Sequence, residues 1–352
     1  MAYMSFNQYL CAMPKVELHV HLEGSIRPET LLMLARRNGI TLPYDDVVGL
    51  CQWYQFVDFP HFVDIYVAIT KCLRTADDIE LICREFLQQQ AAQNIVHSEV
   101  TYTAFTIFKH CNISFADQLA ALNRARVWAA QTLGVTMALV IDIAREESPA
   151  DGLITAEWAA TAQGYDLGQG VDAIGLGGYE VGHPPKKHQA GFDLARAAGL
   201  PSVPHAGETE GAASMWGAIH VLGAQRIGHG VRCLEDPALV AYLRQQQIPL
   251  EVCPSSNVCL NVVKSLDEHP LPRLMAEGLY VTLNSDDPPL FNTTLNDEYV
   301  KCAAAFHFDA GIMEQFSLNA LRASLLPASQ KLALEQRFLH DFRQLRRKYA
   351  VV

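Results

Sequence analysis

The sequence has no run of about 18 apolar residues, so it predicts no membrane-spanning helix. Its first segment, Met1–Pro14, lacks a basic stretch followed by a short apolar one and does not read as a secretory signal. No two of its nine cysteines have C-x-x-C spacing, and their number is odd. That scatter gives no disulfide framework and predicts free, buried thiols in a reducing cytoplasm. Positive charge is also short: 27 Lys and Arg face 38 Asp and Glu, a net charge of −11. An acidic chain without basic clusters is a poor binder of nucleic-acid backbones. A small neutral ligand remains open, because its recognition is local. Internal repeats, low-complexity tracts and Gly/Ser linkers are missing as well, so residues 1–352 are expected to form a single domain.

What is present is a large apolar fraction, 50% of 352 residues, enough to bury a sizeable core. Eight short β-rich segments recur: Lys15–His21, Asn94–Tyr102, Thr136–Arg145, Val171–Glu180, Ser202–His205, Arg226–His229, Pro249–Cys253 and Leu279–Asn284. Most are separated by Ala/Leu/Gln/Arg-rich stretches with helical patterning, such as Asp117–Leu133 and Gly211–Leu222. Alternating strands and helices imply parallel βαβ units, and eight units imply an α/β fold of the closed (β/α)8 TIM-type barrel kind. The one long gap, residues 22–93, predicts extra helices inserted after strand one. Its aromatic residues, Trp53 to Tyr66, suit a lid over the catalytic face; a helix pair packed on the periphery is the alternative. Met313–Tyr349 reads as charged surface helices that finish the fold.

Polar residues gather at the predicted strand ends, which converge on one face of a barrel. His19 and His21 lie two apart on a strand, so both imidazoles point to the same side. His205 and Glu208 follow the fifth segment in Pro204-His205-Ala206-Gly207-Glu208. His229 lies between Gly228 and Gly230, which allow close backbone approach. Asp286 and Asp287 are adjacent carboxylates, tolerable where a cation or hydrogen-bond donors offset their repulsion. Imidazoles with one carboxylate suit Zn²⁺ with an open position for water. No lysine lies on the fourth segment to bridge two ions, which favours one metal per chain. His97, His110, His183 and His188 form no second cluster and are expected to be solvated or core. The Lys186-Lys187 pair is expected in a rigid loop, with contact to a substrate tail as the alternative.

These motifs resemble the adenosine deaminase family. The matching runs are Pro14-Lys15-Val16-Glu17-Leu18-His19-Val20-His21-Leu22-Glu23-Gly24-Ser25, His205-Ala206-Gly207-Glu208, Arg226-Ile227-Gly228-His229-Gly230 and Leu283-Asn284-Ser285-Asp286-Asp287-Pro288. The H-x-E and P-C-x-x-C signature of the other zinc deaminase fold is missing. The resemblance implies that His19, His21, His205 and Asp286 ligand zinc, and that Glu208 handles the proton at purine N1. It implies that His229 orients and polarises the attacking water, with Asp286 helping to hold it. Substrate contacts are implied for His21, Glu23, Gly178 through its N–H to N3, and Asp287 at N7. Zinc would lower the pKa of water from about 16 toward about 7, and protonation at N1 would make C6 electrophilic.

Adenosine or deoxyadenosine is the leading expected substrate, giving inosine or deoxyinosine and ammonia. Two departures bear on it. Glu23 stands where the family typically has an Asp that contacts the ribose 5′-hydroxyl, and Tyr179 precedes Glu180 where an acidic residue is often found. Glu23 and the run Glu180-Val181-Gly182-His183-Pro184-Pro185 are similar to an adenine-deaminase branch, whereas Gly178-Tyr179 and Gly228 are not. Adenine, or another 6-amino nucleoside such as aminodeoxyfutalosine, is the alternative. Other classes are a metal hydrolase for amides or phosphoesters and a non-catalytic purine-binding barrel.

Overall fold

The computed structural model describes residues 2–164 and 169–351. Eight parallel strands form its centre: β1 (Lys15–His21), β2 (Ile95–Tyr102), β3 (Thr136–Ala144), β4 (Ala173–Gly177), β5 (His205–Ala206), β6 (Ile227–His229), β7 (Leu250–Val252) and β8 (Val281–Leu283). They pair in order as β1–β4 and β5–β8. Two parallel bridges join these halves, Ile174 with Ser202 and Val20 with Asp286. The second closes the ring through backbone hydrogen bonds: His21 N–H donates to Asp286 O at 2.9 Å and Asp286 N–H to His19 O at 3.1 Å. The fold is a (β/α)8 barrel, as the alternation predicted.

All eight strands lie where the sequence placed them, but those of the second half are shorter. Pro201, Pro204 and Pro249 have no N–H to extend the ladder. The expected Ser202–His205 strand therefore becomes a bridge at Ser202 followed by β5 at His205–Ala206. β4 stops at Gly177 because Gly178 turns the chain at φ 90°.

Between β1 and β2 run four helices, Pro28–Arg37, Val47–Trp53, Phe59–Thr70 and Ala76–Ala92. They divide the two readings of this insertion. Ala76–Ala92 starts with a capping box between Thr75 and Asp78 and packs as barrel wall on Phe115–Thr132. Phe59–Thr70 instead crosses the mouth. Asp58 caps it by accepting from His61 N–H at 2.8 Å, and Pro60 occupies its first turn. Phe59, Phe62, Val63, Tyr66 and Val67 share one helical face and line the cleft. Phe59 stacks on Tyr179 at 5.4 Å and Phe62 on Phe291 at 5.6 Å between ring centroids, tying the helix to the loops after β4 and β8.

Of the C-terminal helices, Ala328–Tyr349 is the expected charged surface helix, anchored on its neighbouring helices by buried Phe338 and Phe342. Ala310–Ala323 differs: Met313, Phe316, Leu318 and Leu321 are buried, and it packs on β1 and β8 because the barrel wall there needs an apolar cover. All nine cysteines are free, but Cys51 is exposed and Cys11 and Cys259 are half-buried, so not every thiol is in the core. Among the described residues no helix is long and apolar enough to cross a membrane.

Candidate active site

The C-terminal strand ends bring His19, His21, His205, Glu208, His229, Asp286 and Asp287 into one buried cluster. Asp286 Oδ1 lies 3.4 Å from His19 Nε2 and 3.3 Å from His21 Nε2. His21 Nε2 and His205 Nε2 are 3.2 Å apart. Ligand-type atoms of His19, His205, His229 and Asp286 all lie within 4.8 Å of one another, and so do those of His21, Asp286 and Asp287. His229 (φ 60°) and Asp286 (φ 65°) adopt the left-handed backbone region, which side chains other than glycine enter at a cost. Both turns aim their side chains inward from strand ends. Gly228 is required here for space, since a Cβ at that position would stand 2.7 Å from His19 Cε1.

This cluster fits a divalent cation. His19 Nδ1 donates to Glu251 Oε2 at 3.0 Å, which leaves its Nε2 as a lone pair, and that buried atom has no hydrogen-bond partner. The facing Nε2 atoms of His21 and His205 share no acceptor that would hold a proton for both. A cation attracts all three lone pairs and Asp286 together, and imidazoles with a carboxylate suit zinc among the common ions. The Glu251 carboxylate is fixed in turn by Arg226 Nε at 2.6 Å, and Arg226 also pairs with Glu99. Such carboxylate partners orient metal-binding histidines.

The charges are set by burial and by mutual repulsion. Burial acts to raise Asp286, but the close approach of the His19 and His21 imidazoles outweighs it and holds the carboxyl well below its usual range. Burial and the neighbouring Asp286 charge push Asp287 well above that range. Burial, with the charges of Asp286 and Glu180, does the same to Glu208. Both effects favour the protonated form of Glu208, and its Oε1 has no partner. Burial lowers His229 to about 4, so its imidazole is neutral.

Glu180, a residue to which the motifs gave no role, positions Glu208. Its carboxylate accepts from the N–H groups of Gly207 (2.9 Å), Glu208 (2.9 Å), Thr209 (2.8 Å) and Glu210 (3.0 Å), and from Ser214 Oγ (2.6 Å). Burial opposes its charge, but Arg145 and these donors hold it below the ordinary glutamate range. Asp142, on β3, also lines the cleft, with Oδ1 unpartnered. Its placement was hidden because a lone Asp within an apolar strand carries no local signal.

Of the expected substrate contacts, His21, Gly178 and Asp287 line the cleft. Glu23 does not. Its carboxylate is buried and accepts from Thr103 N–H at 2.9 Å and Tyr66 Oη at 3.1 Å; Thr103 and Tyr66 take its place in the wall. Among the extra histidines, His97 and His188 are buried, while His110 lines the outer cleft with Glu146 and Glu147. The Lys187 ammonium donates to Arg145 O at 2.6 Å, a structural tie.

A sequence model described as "Adenosine deaminase" matches residues 14–340. The chain belongs to the adenosine deaminase family. It is thus an aminohydrolase on a TIM barrel. An aminodeoxyfutalosine deaminase from Streptomyces avermitilis is 37% identical over 327 residues, 92% of this chain and 90% of the relative. The crystal structure of an adenine deaminase from Arthrobacter aurescens superposes with a TM-score of 0.89 at 32% identity, covering 95% of this chain and 99% of the other. An amidohydrolase from Burkholderia ambifaria, solved with bound zinc, gives a TM-score of 0.90 at 25% identity over 98% and 95%. Family membership agrees with the resemblance read from the motifs. The leading substrate expectation, adenosine, finds no support in these names, which favour the alternatives.

Proposed function

We propose that this chain hydrolyses adenine to hypoxanthine and ammonia at a single zinc ion held by His19, His21, His205 and Asp286. The observation that carries the choice of a free base is Glu23. Its oxygens are engaged by Thr103 and Tyr66 behind the cleft wall, so the carboxylate expected at a ribose hydroxyl is occupied elsewhere. The Arthrobacter relative's name supports the same substrate.

When bound, the ion would supply hydroxide near neutral pH. Protonated Glu208 donates to N1, which draws electron density from C6 as water attacks there. Asp286 and His229 hold the attacking oxygen against the C6 face. Asp287, whose protonated form burial and its neighbour favour, donates to N7, and the Gly178 N–H meets N3. Of the two water protons, one passes to the amine and the other returns to Glu208; the C6–N bond breaks, ammonia leaves, and the oxygen remains as the 6-oxo group. In this reading residues 1–352 act as one barrel domain, and the helix Phe59–Thr70 in the 22–93 insertion serves as a lid that excludes water from the bound base.

A second reading is a 6-amino nucleoside such as aminodeoxyfutalosine, the substrate in the Streptomyces relative's name. The outer cleft at Thr106, His110, Glu146 and Glu147 favours it by leaving space for an N9 substituent. Product inhibition separates the two. Hypoxanthine is expected to compete with substrate and inosine is not; inosine competing as well as hypoxanthine would overturn the free-base reading.

A further inference from the structure

His229 faces the cleft through Nε2, which stands 3.7 Å from Glu208 Oε1 and 3.8 Å from Asp286 Oδ2. Its other nitrogen points away from the chemistry into a buried chain of polar groups. Asn257 Nδ2 lies 3.3 Å from His229 Nδ1. Asn257 Oδ1 lies 3.1 Å from His269 Nε2. His269 Nδ1 accepts from the backbone N–H of Leu271 at 3.0 Å. Asn257 and His269 are buried, on the helix Pro254–Cys259 after β7 and in the turn that leads into the helix Leu271–Ala276.

The last link decides all the others. A backbone N–H is only ever a donor, so His269 Nδ1 must be an acceptor and carry no proton. The single proton of a neutral His269 then sits on Nε2. That N–H must donate to Asn257, which fixes the amide with Oδ1 toward His269 and NH₂ toward His229. The NH₂ group can only donate, so His229 Nδ1 must accept. His229 is left with its proton on Nε2.

We propose that Asn257 and His269 are positioning residues that lock His229 in its Nε2–H form, so that it presents a donor to the attacking oxygen and cannot take a proton there. The polarity starts from a main-chain group that no side-chain rotation can reverse. A neutral donor aimed where negative charge gathers in the transition state stabilises it without reorganisation. The inference rests on His229 facing the reacting oxygen, but the direction of the chain does not depend on which purine is bound.

The test is long-range proton–nitrogen NMR of the metal-loaded protein with labelled histidine, with His229 assigned by its loss in His229→Gln. The expected pattern has Nε2 protonated and Nδ1 bare in the wild type. Asn257→Asp replaces the donor by a carboxylate and should move the proton to Nδ1. It should lower kcat about a hundredfold, the effect of losing one such donor, with KM and metal content unchanged. His269→Gln keeps a donor near the Nε2 position and should retain the wild-type pattern, whereas His269→Glu should invert it. That pair carries the test should Asn257→Asp not fold. A protonated Nδ1 in the wild type, or an unchanged pattern in both Asn257→Asp and His269→Glu, would overturn the proposal. Because the spectra need no substrate, a failed adenine assignment leaves this result standing, and the reverse also holds.

Discussion

Glu180→Gln should damage this protein far more than the loss of one charge suggests. In the wild type Oε2 accepts from the N–H groups of Glu208, Thr209 and Glu210, and Oε1 accepts from Gly207 N–H and Ser214 Oγ. An amide presents one oxygen and one NH₂. With its NH₂ toward Gly207 and Ser214, the Ser214 hydroxyl can rotate to accept but the Gly207 N–H faces a donor; turned the other way, three N–H groups do. Hydrogen bonds to a charged acceptor contribute about 1.5–3 kcal/mol each, so even the better orientation costs about that much, and the bonds that remain lose their charged acceptor. The same loop carries Glu208, and a shift of about 1 Å at a reacting group can lower the rate about a hundredfold. Thermal unfolding and steady-state kinetics on one preparation read both effects. The pH dependence gives a further check. The folded pKa of Glu180 is depressed, so its stabilisation is present above the ordinary glutamate pKa and is lost as pH falls through the depressed value. The stability gap between wild type and variant should therefore close in acid. An unchanged unfolding midpoint together with full turnover would refute the role given to Glu180.

Other outcomes follow from the same geometry. Glu208→Gln should keep its metal and lose turnover, checked by elemental analysis beside an ammonia assay; retained turnover would remove Glu208 from the proton step. His19→Ala should lose both metal and activity, and full metal occupancy would break the ligand assignment. Glu251→Gln, which weakens the acceptor for His19 Nδ1, should lower metal affinity about 10- to 100-fold in a chelator competition, and unchanged affinity would count against the Arg226–Glu251–His19 chain. Phe59→Ala removes the stack on Tyr179, worth about 0.5–1.5 kcal/mol beyond area burial. It should raise KM more than it lowers kcat, and an unaltered KM would argue against the lid.

The sequence was most legible where the signal is local. His19 and His21 share a strand face, His205 and Glu208 end one strand, and Asp286 and Asp287 end another, so each motif could be read within a few residues. The alternation of strands and helices gave the barrel for the same reason. What stayed hidden depends on chain crossings. Glu251 meets His19 across 232 positions, and His229 meets Asn257, and through it His269, only because the loops after β6 and β7 pack together. Glu180 looked like one motif residue among several, and only the folded loop at residues 207–210 reveals how many donors it collects. Glu23 shows the opposite case. Its position in the motif pointed to substrate, while the packing of Tyr66 and Thr103 draws its carboxylate behind the wall. The proposed preference for a free base rests on that placement of Glu23, which no periodicity records.

The most direct test of the account is turnover by the zinc-loaded protein of adenine, adenosine, deoxyadenosine and aminodeoxyfutalosine, followed by ammonia release and the change in purine absorbance. The account predicts fast conversion of adenine to hypoxanthine and little reaction with the three nucleosides. Fast turnover of a nucleoside with none of adenine would contradict it.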